Sequence, residues 1–240
     1  MTANPWDGWS PMGVFDAIFT ARATRVYTPR PVPDDVLAKV LRAATFASSS
    51  GNTQPWEFVV ITDDGLKQQL KSVLAAAFAG VDATRAQPED QLVDGAGRAV
   101  TGNAAVENVD RAGAVVMVFW NPDRGARFVG QYEENPDGTF REARTFPGAG
   151  RGTSLFPACQ NMILAAQALG LQSLFTTFFG LVEREVKELL HVPARMFLEA
   201  AVFLGYGDEA LGRPRRRPLA EVVHMNDWAA PWAGPPEVNW

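Results

Sequence analysis

Residues 112–120 read Ala-Gly-Ala-Val-Val-Met-Val-Phe-Trp, nine consecutive positions without a charged side chain. Successive side chains of a strand point to opposite faces, so a run of this kind belongs inside a sheet that is covered on both sides. It is far too short to cross a bilayer as a helix, which takes about 20 apolar residues. At 240 residues the chain is long enough for one domain with a substantial core, or for two small ones.

The remaining elements follow from periodicity and punctuation. Residues 11–22 (PMGVFDAIFTAR) read as a helix with Val14, Phe15 and Ile18 on one side. Three prolines and two aspartates in TPRPVPDD then stop one element and start another. In that second helix Val36, Leu37, Val40, Leu41 and Ala44 recur at helical spacing. Residues 56–62 (WEFVVIT) form a strand by β-branched and aromatic content. A helix follows from Gly65, with Leu70, Val73, Leu74 and Phe78 as its stripe.

From Asn121 to Gly152 the chain is polar and glycine-rich without a clear period, which marks a lid or binding loop. A strong helix is expected from about Thr153 to Leu169, buried through Leu155, Cys159, Met162, Ile163 and Ala166. LQSLFTTFF (171–179) reads as a strand, LVEREVKELL (181–190) as a helix and MFLEAAVFLGYG (196–207) as the last long strand. The arm from Leu211 carries four arginines and then Trp228, Trp232 and Trp240 among prolines, a segment too thin to make its own core. Those indoles need a surface, from this protomer or a partner. With no internal repeat, the result is a single α+β or α/β domain over 1–240, with a lid at 121–152 and a C-terminal arm at 211–240.

Composition enters mainly to exclude. A net charge of −5 gives no reason to attract nucleic acid or an anionic membrane. One cysteine and two histidines rule out an internal disulfide and a zinc site of usual spacing. The N-terminus lacks a basic start followed by an apolar core, so it does not read as a signal peptide, and a cytoplasmic location is the default expectation.

Three segments have the composition to hold a phosphorylated cofactor. In Ala21-Arg22-Ala23-Thr24-Arg25-Val26-Tyr27, two guanidinium forks three residues apart match phosphate or carboxylate, though taken alone two solvated surface arginines are the plainer account. Ser48-Ser49-Ser50-Gly51-Asn52-Thr53-Gln54-Pro55-Trp56 combines hydroxyls, a glycine and two amides that donate and accept at once. That suits the edge of a heteroaromatic ring; a turn spending its serines on local backbone bonds is the plainer account. Arg213-Pro214-Arg215-Arg216-Arg217 either faces an anion or is a basic surface patch. Gly148-Ala149-Gly150-Arg151-Gly152 precedes a helix but lacks the strand and spacing of a nucleotide loop, and reads as a flexible connection.

In this order the segments resemble the FMN-dependent nitroreductase family, an R-R-S-x-R-x-[FY] motif followed by an N-x-Q-P-W loop, a G-L-G-S-x-W-x-T-like strand and a basic tail ending P-L-x-E-V. The matching residues are Arg22 to Tyr27, Asn52-Thr-Gln54-Pro55-Trp56, Gly170 to Thr177, and Arg215-Arg216-Arg217-Pro218-Leu-Ala-Glu-Val, over roughly residues 14–228. The chain departs from the pattern at Ala21, where the family has an arginine, and at Ala23, where it has a serine. A flavin-edge cation that some members carry after the first strand is not evident; Lys67 and Lys71 come too early.

The resemblance implies an α/β/α sandwich with a mainly antiparallel central sheet, and a homodimer that exchanges its C-terminal arms around two FMN sites. It implies that Arg22, Ala23, Thr24 and Arg25, with Arg215 and Arg216, surround the phosphate and the nearby flavin edge. Arg25 would lie near flavin N1 and O2, where a cation stabilises the charge that reduction leaves. Ser48, Ser49, Ser50, Asn52 and Gln54 would line the cofactor across the dimer interface. Thr176, Thr177 and Phe178 would set backbone N–H groups near N5 and O4.

The implied activity is reduction of small electrophiles, such as nitroaromatics or quinones, with NAD(P)H as hydride donor and ping-pong kinetics. Phe128, Tyr132, Phe140 and Phe146 could stack on aromatic acceptors. The alternatives are a specialised flavin enzyme of the same family (dehydrogenase, dehalogenase or flavin-consuming) and a flavin-binding protein without turnover.

Overall fold

The computed structural model describes residues 12–78, 106–124, 130–145, 152–207 and 216–234. Its strands are β1 (Trp56–Ile61), β2 (Ala114–Trp120), β3 (Gly130–Glu134), β4 (Phe140–Thr145), β5 (Gln172–Thr176) and β6 (Phe197–Gly205). Its α-helices are α1 (Val14–Thr20), α2 (Asp34–Ala44), α3 (Asp64–Phe78), α4 (Gly152–Ala168), α5 (Glu183–Leu189) and α6 (Leu219–Val222). None of these helices is long and apolar enough to cross a membrane.

Four strands form one sheet in the order β1-β2-β6-β5, every neighbour antiparallel. The uncharged run at 114–120 takes the interior position its composition demands, and all seven of its residues are buried. Ala114, Val116, Val118 and Trp120 pack with Leu37 and Val40 of α2 and with Leu155, Cys159 and Met162 of α4. Val115, Met117 and Phe119 face the other way, onto Leu70 and Leu74 of α3 and Val186 of α5. Each large side chain so buried contributes roughly 1.5–3 kcal/mol. The expected α+β sandwich with an antiparallel centre is the fold observed.

Pairing of β2 with β6 shifts register between Val118 and Phe119, which leaves Glu199 out of the ladder. A bulge at the one charged residue of β6 re-aims a side chain that the apolar alternation has no place for. α2 begins with Asp34 and Asp35 and ends with Arg42, charges of the sign that each end of a helix dipole favours.

Three expectations are corrected. The stretch 121–152, read as irregular, contains the β3–β4 hairpin, closed over Asn135-Pro136-Asp137-Gly138 with Gly138 at φ 79°. Two of the five residues of β3 and three of the six of β4 are charged, and neither strand shows an apolar alternation to betray it. The strand at 171–179 stops at Thr176; Thr177 turns (φ −105°, ψ 2°) and Phe178–Val182 form a 3-10 turn. The first helix spans only Val14–Thr20 rather than 11–22; Ala17 is buried, while Val14 and Phe15 on its apolar stripe are 62% and 68% exposed.

Candidate functional site

Segment 22–27 is fixed to the edge of the sheet. Ala23 bridges Ser173 in parallel fashion, and the Thr24 N–H donates to the Ser173 carbonyl at 2.9 Å. Thr24 is fully buried, its hydroxyl 3.3 Å from Gln172 Oε1. The equally buried Tyr27 donates its hydroxyl to the Thr24 carbonyl at 2.8 Å. With Thr24 locked inward, Arg22 and Arg25 flank it half-buried, while Ala23 is exposed.

Arg22 donates through Nη1 to the carbonyls of Ala21 (2.7 Å) and Phe19 (3.2 Å), just past the end of α1. Arg25 Nη1 lies 3.4 Å from the Ala23 carbonyl. Burial lowers the basicity of the Arg22 guanidinium, and the positive charge of Arg216 lowers it further. Arg216 approaches from the opposite end of the chain, immediately before α6. Like charges within reach of one another repel, and an anion near them is favoured by both. Arg215 lies outside the described residues.

The 48–54 loop joins α2 to β1 and takes an uncommon backbone path. Gly51, Asn52 and Gln54 all have positive φ, at 56°, 53° and 48°. Left-handed conformations are disfavoured for residues with a Cβ, so Asn52 and Gln54 are held there by their surroundings. The Ser49 hydroxyl accepts the Gln54 N–H at 3.1 Å, and the Ser49 carbonyl accepts the Asn52 N–H at 3.0 Å. Part of the serine content is therefore spent on local bonds, as the plainer reading had it. Ser48, Ser50, Asn52 and Gln54 are exposed.

Within one chain the loop and the arginines are far apart. Ser50 N–H meets the Ser154 hydroxyl (3.4 Å) at the start of α4, whereas Thr20, two residues before Arg22, accepts a hydrogen bond from Gln167 (3.0 Å) near its end. At 1.5 Å per residue those anchor points are about 20 Å apart along the helix. One chain thus presents two separated half-sites.

At the end of β5, Thr176 is buried, and its hydroxyl accepts the Phe178 N–H at 3.2 Å. Thr177 and Phe178 are exposed beside it. Past Phe178, a cleft of about 740 Å3 opens between α5 and the tip of the β3–β4 hairpin, lined by Leu181, Arg184, Glu188, Asp137 and Thr139 among others. Hydrogen bonds from the Thr139 hydroxyl and N–H hold the Asp137 carboxyl below the usual carboxylate range. Tyr132 and Phe140 fall on the hairpin strands; Phe128 and Phe146 lie outside the described residues.

One group of residues escaped the sequence reading. Trp56 and Trp120 are register partners, so the chain leaving β2 runs past the chain entering β1. The Asn121 N–H donates to the Pro55 carbonyl (2.7 Å), and its side-chain amide donates to Glu57 Oε1 (2.9 Å). Arg124 donates to the same carboxylate and, through Nη1, to the Gln54 carbonyl at 3.2 Å. Only the polar run Asn-Pro-Asp-Arg after an apolar strand hints at it in the sequence.

Exposed amides on the loop, and the positive charge of Arg22, Arg25 and Arg216 on the other segment, are groups that suit a ligand with a polar ring and an anionic tail. Among the described residues no group of histidine, cysteine, aspartate and glutamate side chains has the arrangement of a metal site.

The chain is similar to known proteins over most of its length. The model of the Nitroreductase family matches residues 18–206. An NADH dehydrogenase of Thermus thermophilus is 28% identical over 222 residues, covering 86% of this chain and 93% of that protein. A 4-nitrobenzoate reductase of Pseudomonas putida is 26% identical over 207 residues, covering 81% and 86%. The crystallised FMN-dependent nitroreductase of Clostridium difficile shares the fold with a TM-score of 0.62 at 18% identity, over 88% of this chain and 98% of that one.

Proposed function

The chain belongs to the nitroreductase family, and from that premise we propose that it is an FMN-dependent NAD(P)H oxidoreductase, reducing small electrophiles such as nitroaromatics or quinones. The observation that carries the reading is the electrostatic coupling of Arg22 to Arg216, two cations from opposite ends of the chain that a phosphate group would favour together. With alanine at 21 and 23, where the family has an arginine and a serine, that pair would be joined by Arg215 as the phosphate's partners.

Bound FMN supplies the hydride chemistry, and the protein supplies binding, orientation and charge. Thr24, buried and hydrogen-bonded to Gln172 and Ser173, keeps the arginine segment rigid against β5. Arg25, half-buried on the same segment, would set positive charge near the N1 and O2 edge of a bound flavin. Thr176 orients the turn at 177–178 by accepting the Phe178 N–H, and the backbone of that turn would offer its N–H groups to the N5 and O4 edge of a bound flavin. The exposed Ser48, Ser50, Asn52 and Gln54, with Ser49 bracing them, complete the site from a second copy of the chain, because the loop is too distant from Arg22 within one copy.

The homodimer has its own support in exposed apolar surface. α1 presents Val14, Phe15, Ile18 and Phe19, and the arm presents Leu219, Val222, Met225 and Trp228. Faces of this kind on a water-soluble chain mark protein contacts. Exchange of the arms would cover Trp228, which is 84% exposed. A single pocket used in turn by NAD(P)H and the acceptor gives ping-pong kinetics.

The purified protein tests this directly. Flavin absorbance that NADH or NADPH bleaches and a nitroaromatic or quinone restores, with parallel double-reciprocal lines, supports the reading. Intersecting lines overturn the ping-pong scheme. Colour that neither pyridine nucleotide bleaches makes this a flavin-binding protein without turnover, and a protein that takes up no FMN overturns both.

A further inference from the structure

We propose that Arg124 is a positioning residue for Gln54, fixing the strained backbone from which that residue's side-chain amide projects. The inference rests on the reading that the 48–54 loop lines FMN.

Gln54 sits at φ 48°, a conformation its Cβ disfavours, and its backbone is held on both sides. Its N–H is bound by the Ser49 hydroxyl (3.1 Å) and its carbonyl by Arg124 Nη1 (3.2 Å). The first bond is internal to the loop and moves with it. Arg124 comes from the other side of the β1–β2 pair and ties the loop to the sheet. Its own guanidinium is fixed by Glu57, which also accepts from Asn121 (2.9 Å), and Asn121 is itself 7% exposed.

The Arg124 and Glu57 side chains are 42% and 44% exposed, and an ion pair so open to solvent adds little to stability. Its geometric consequence is larger. A guanidinium fork reaches a carboxylate and a backbone carbonyl at once, which fixes the distance between β1 and the loop. With the Gln54 backbone so pinned, its exposed side chain is confined to a narrow set of directions, and less entropy is lost when it meets a ligand. Released from Arg124, the residue relaxes toward negative φ and the amide swings away.

The test is a double-mutant cycle on apo-protein, reading FMN dissociation constants by quenching of flavin fluorescence, with apo melting temperatures alongside. Arg124→Met is expected to weaken FMN binding about tenfold, in line with loss of a charge-assisted bond. Arg124→Lys, which has no fork, is expected to recover only part of that loss. Gln54→Ala is expected to weaken binding by itself and to add little in the Arg124→Met background, because both changes remove one interaction.

Wild-type binding by Arg124→Met overturns the assignment, and so do losses that add in full. Wild-type protein that takes up no FMN overturns the cofactor reading itself and this assignment with it.

Discussion

Burial lowers the basicity of the Arg22 guanidinium and the charge of Arg216 lowers it further, although one residue follows the first described helix and the other precedes the last. Repulsion of this kind is relieved by a bound anion. Arg22→Ala and Arg216→Ala are each expected to weaken FMN binding about ten- to a hundredfold, the range for a hydrogen bond to a charged group. The same substitutions should lower the melting temperature of FMN-loaded protein more than that of apo-protein. Fluorescence titrations at low and high salt check the origin of the effect. An electrostatic phosphate site loses affinity as salt rises, and the variants lose less of it.

Tyr27 couples the sheet to the arginine segment, and Gly205 makes room for it. A Cβ at Gly205 would stand 2.8 Å from Tyr27 Cδ1 and 3.0 Å from the Gly113 nitrogen. Neither neighbour can retreat, since Tyr27 is fully buried and the Gly113 atom is backbone. Gly205→Ala is expected to destabilise by about 1–3 kcal/mol, the usual cost of overpacking. For a domain of this size that is about 2–4 °C of Tm per kcal/mol, measurable by calorimetry. Displacement of Tyr27 also shifts the Thr24 carbonyl, so FMN affinity should fall with stability.

How legible was all this in the sequence? The centre of the fold was open to view, because β2 carries no charge and β6 only Glu199, and continuous burial leaves a continuous apolar run. The β3–β4 hairpin was hidden for the opposite reason: its strands pair with each other in a sheet of their own, and their sequence carries no continuous apolar run. Its turn, Asn135-Pro136-Asp137-Gly138, was nonetheless a readable signal. The stripe on α1 was read correctly as a stripe, but periodicity does not say whether its cover comes from the same chain. Motif order carried the family resemblance, whereas the bond from Arg124 to the Gln54 carbonyl depends on strand register, which no local pattern encodes.

Cys159 offers a pH-dependent check on the core beneath α4. Burial pushes its thiol up to about 12. In the unfolded chain a cysteine ionises near pH 8.5, so above that value the unfolded state sheds a proton that the folded state keeps. Stability is therefore expected to fall as pH rises from about 9 toward 12. Cys159→Ala should show a shallower decline than wild type in urea melts across that window. At pH 8 the native thiol should resist a disulfide reagent and react only on unfolding; rapid labelling of native protein would refute the burial.

The separation of the Ser48–Gln54 loop from Arg22, about 20 Å along α4 by helix rise, makes a demanding prediction about assembly. Phe15 is 68% exposed on α1 and stacks on Phe19 at a centroid distance of 6.1 Å. Phe15→Glu places a charge that is costly to desolvate on that face, so sedimentation should show monomers, and these should retain little FMN. Complementation reads the geometry without disturbing the interface. One chain carries Arg22→Ala and Arg216→Ala; the other carries Asn52→Ala and Gln54→Ala. Each homodimer is impaired at both sites. A mixed dimer in which arginines and loop come from different copies regenerates one intact site and spoils the other twice over. Random mixing then restores FMN binding to about a quarter of sites, as two-fold symmetry requires. A site built within one chain gives no recovery, and that result would remove the partner from the cofactor's surroundings.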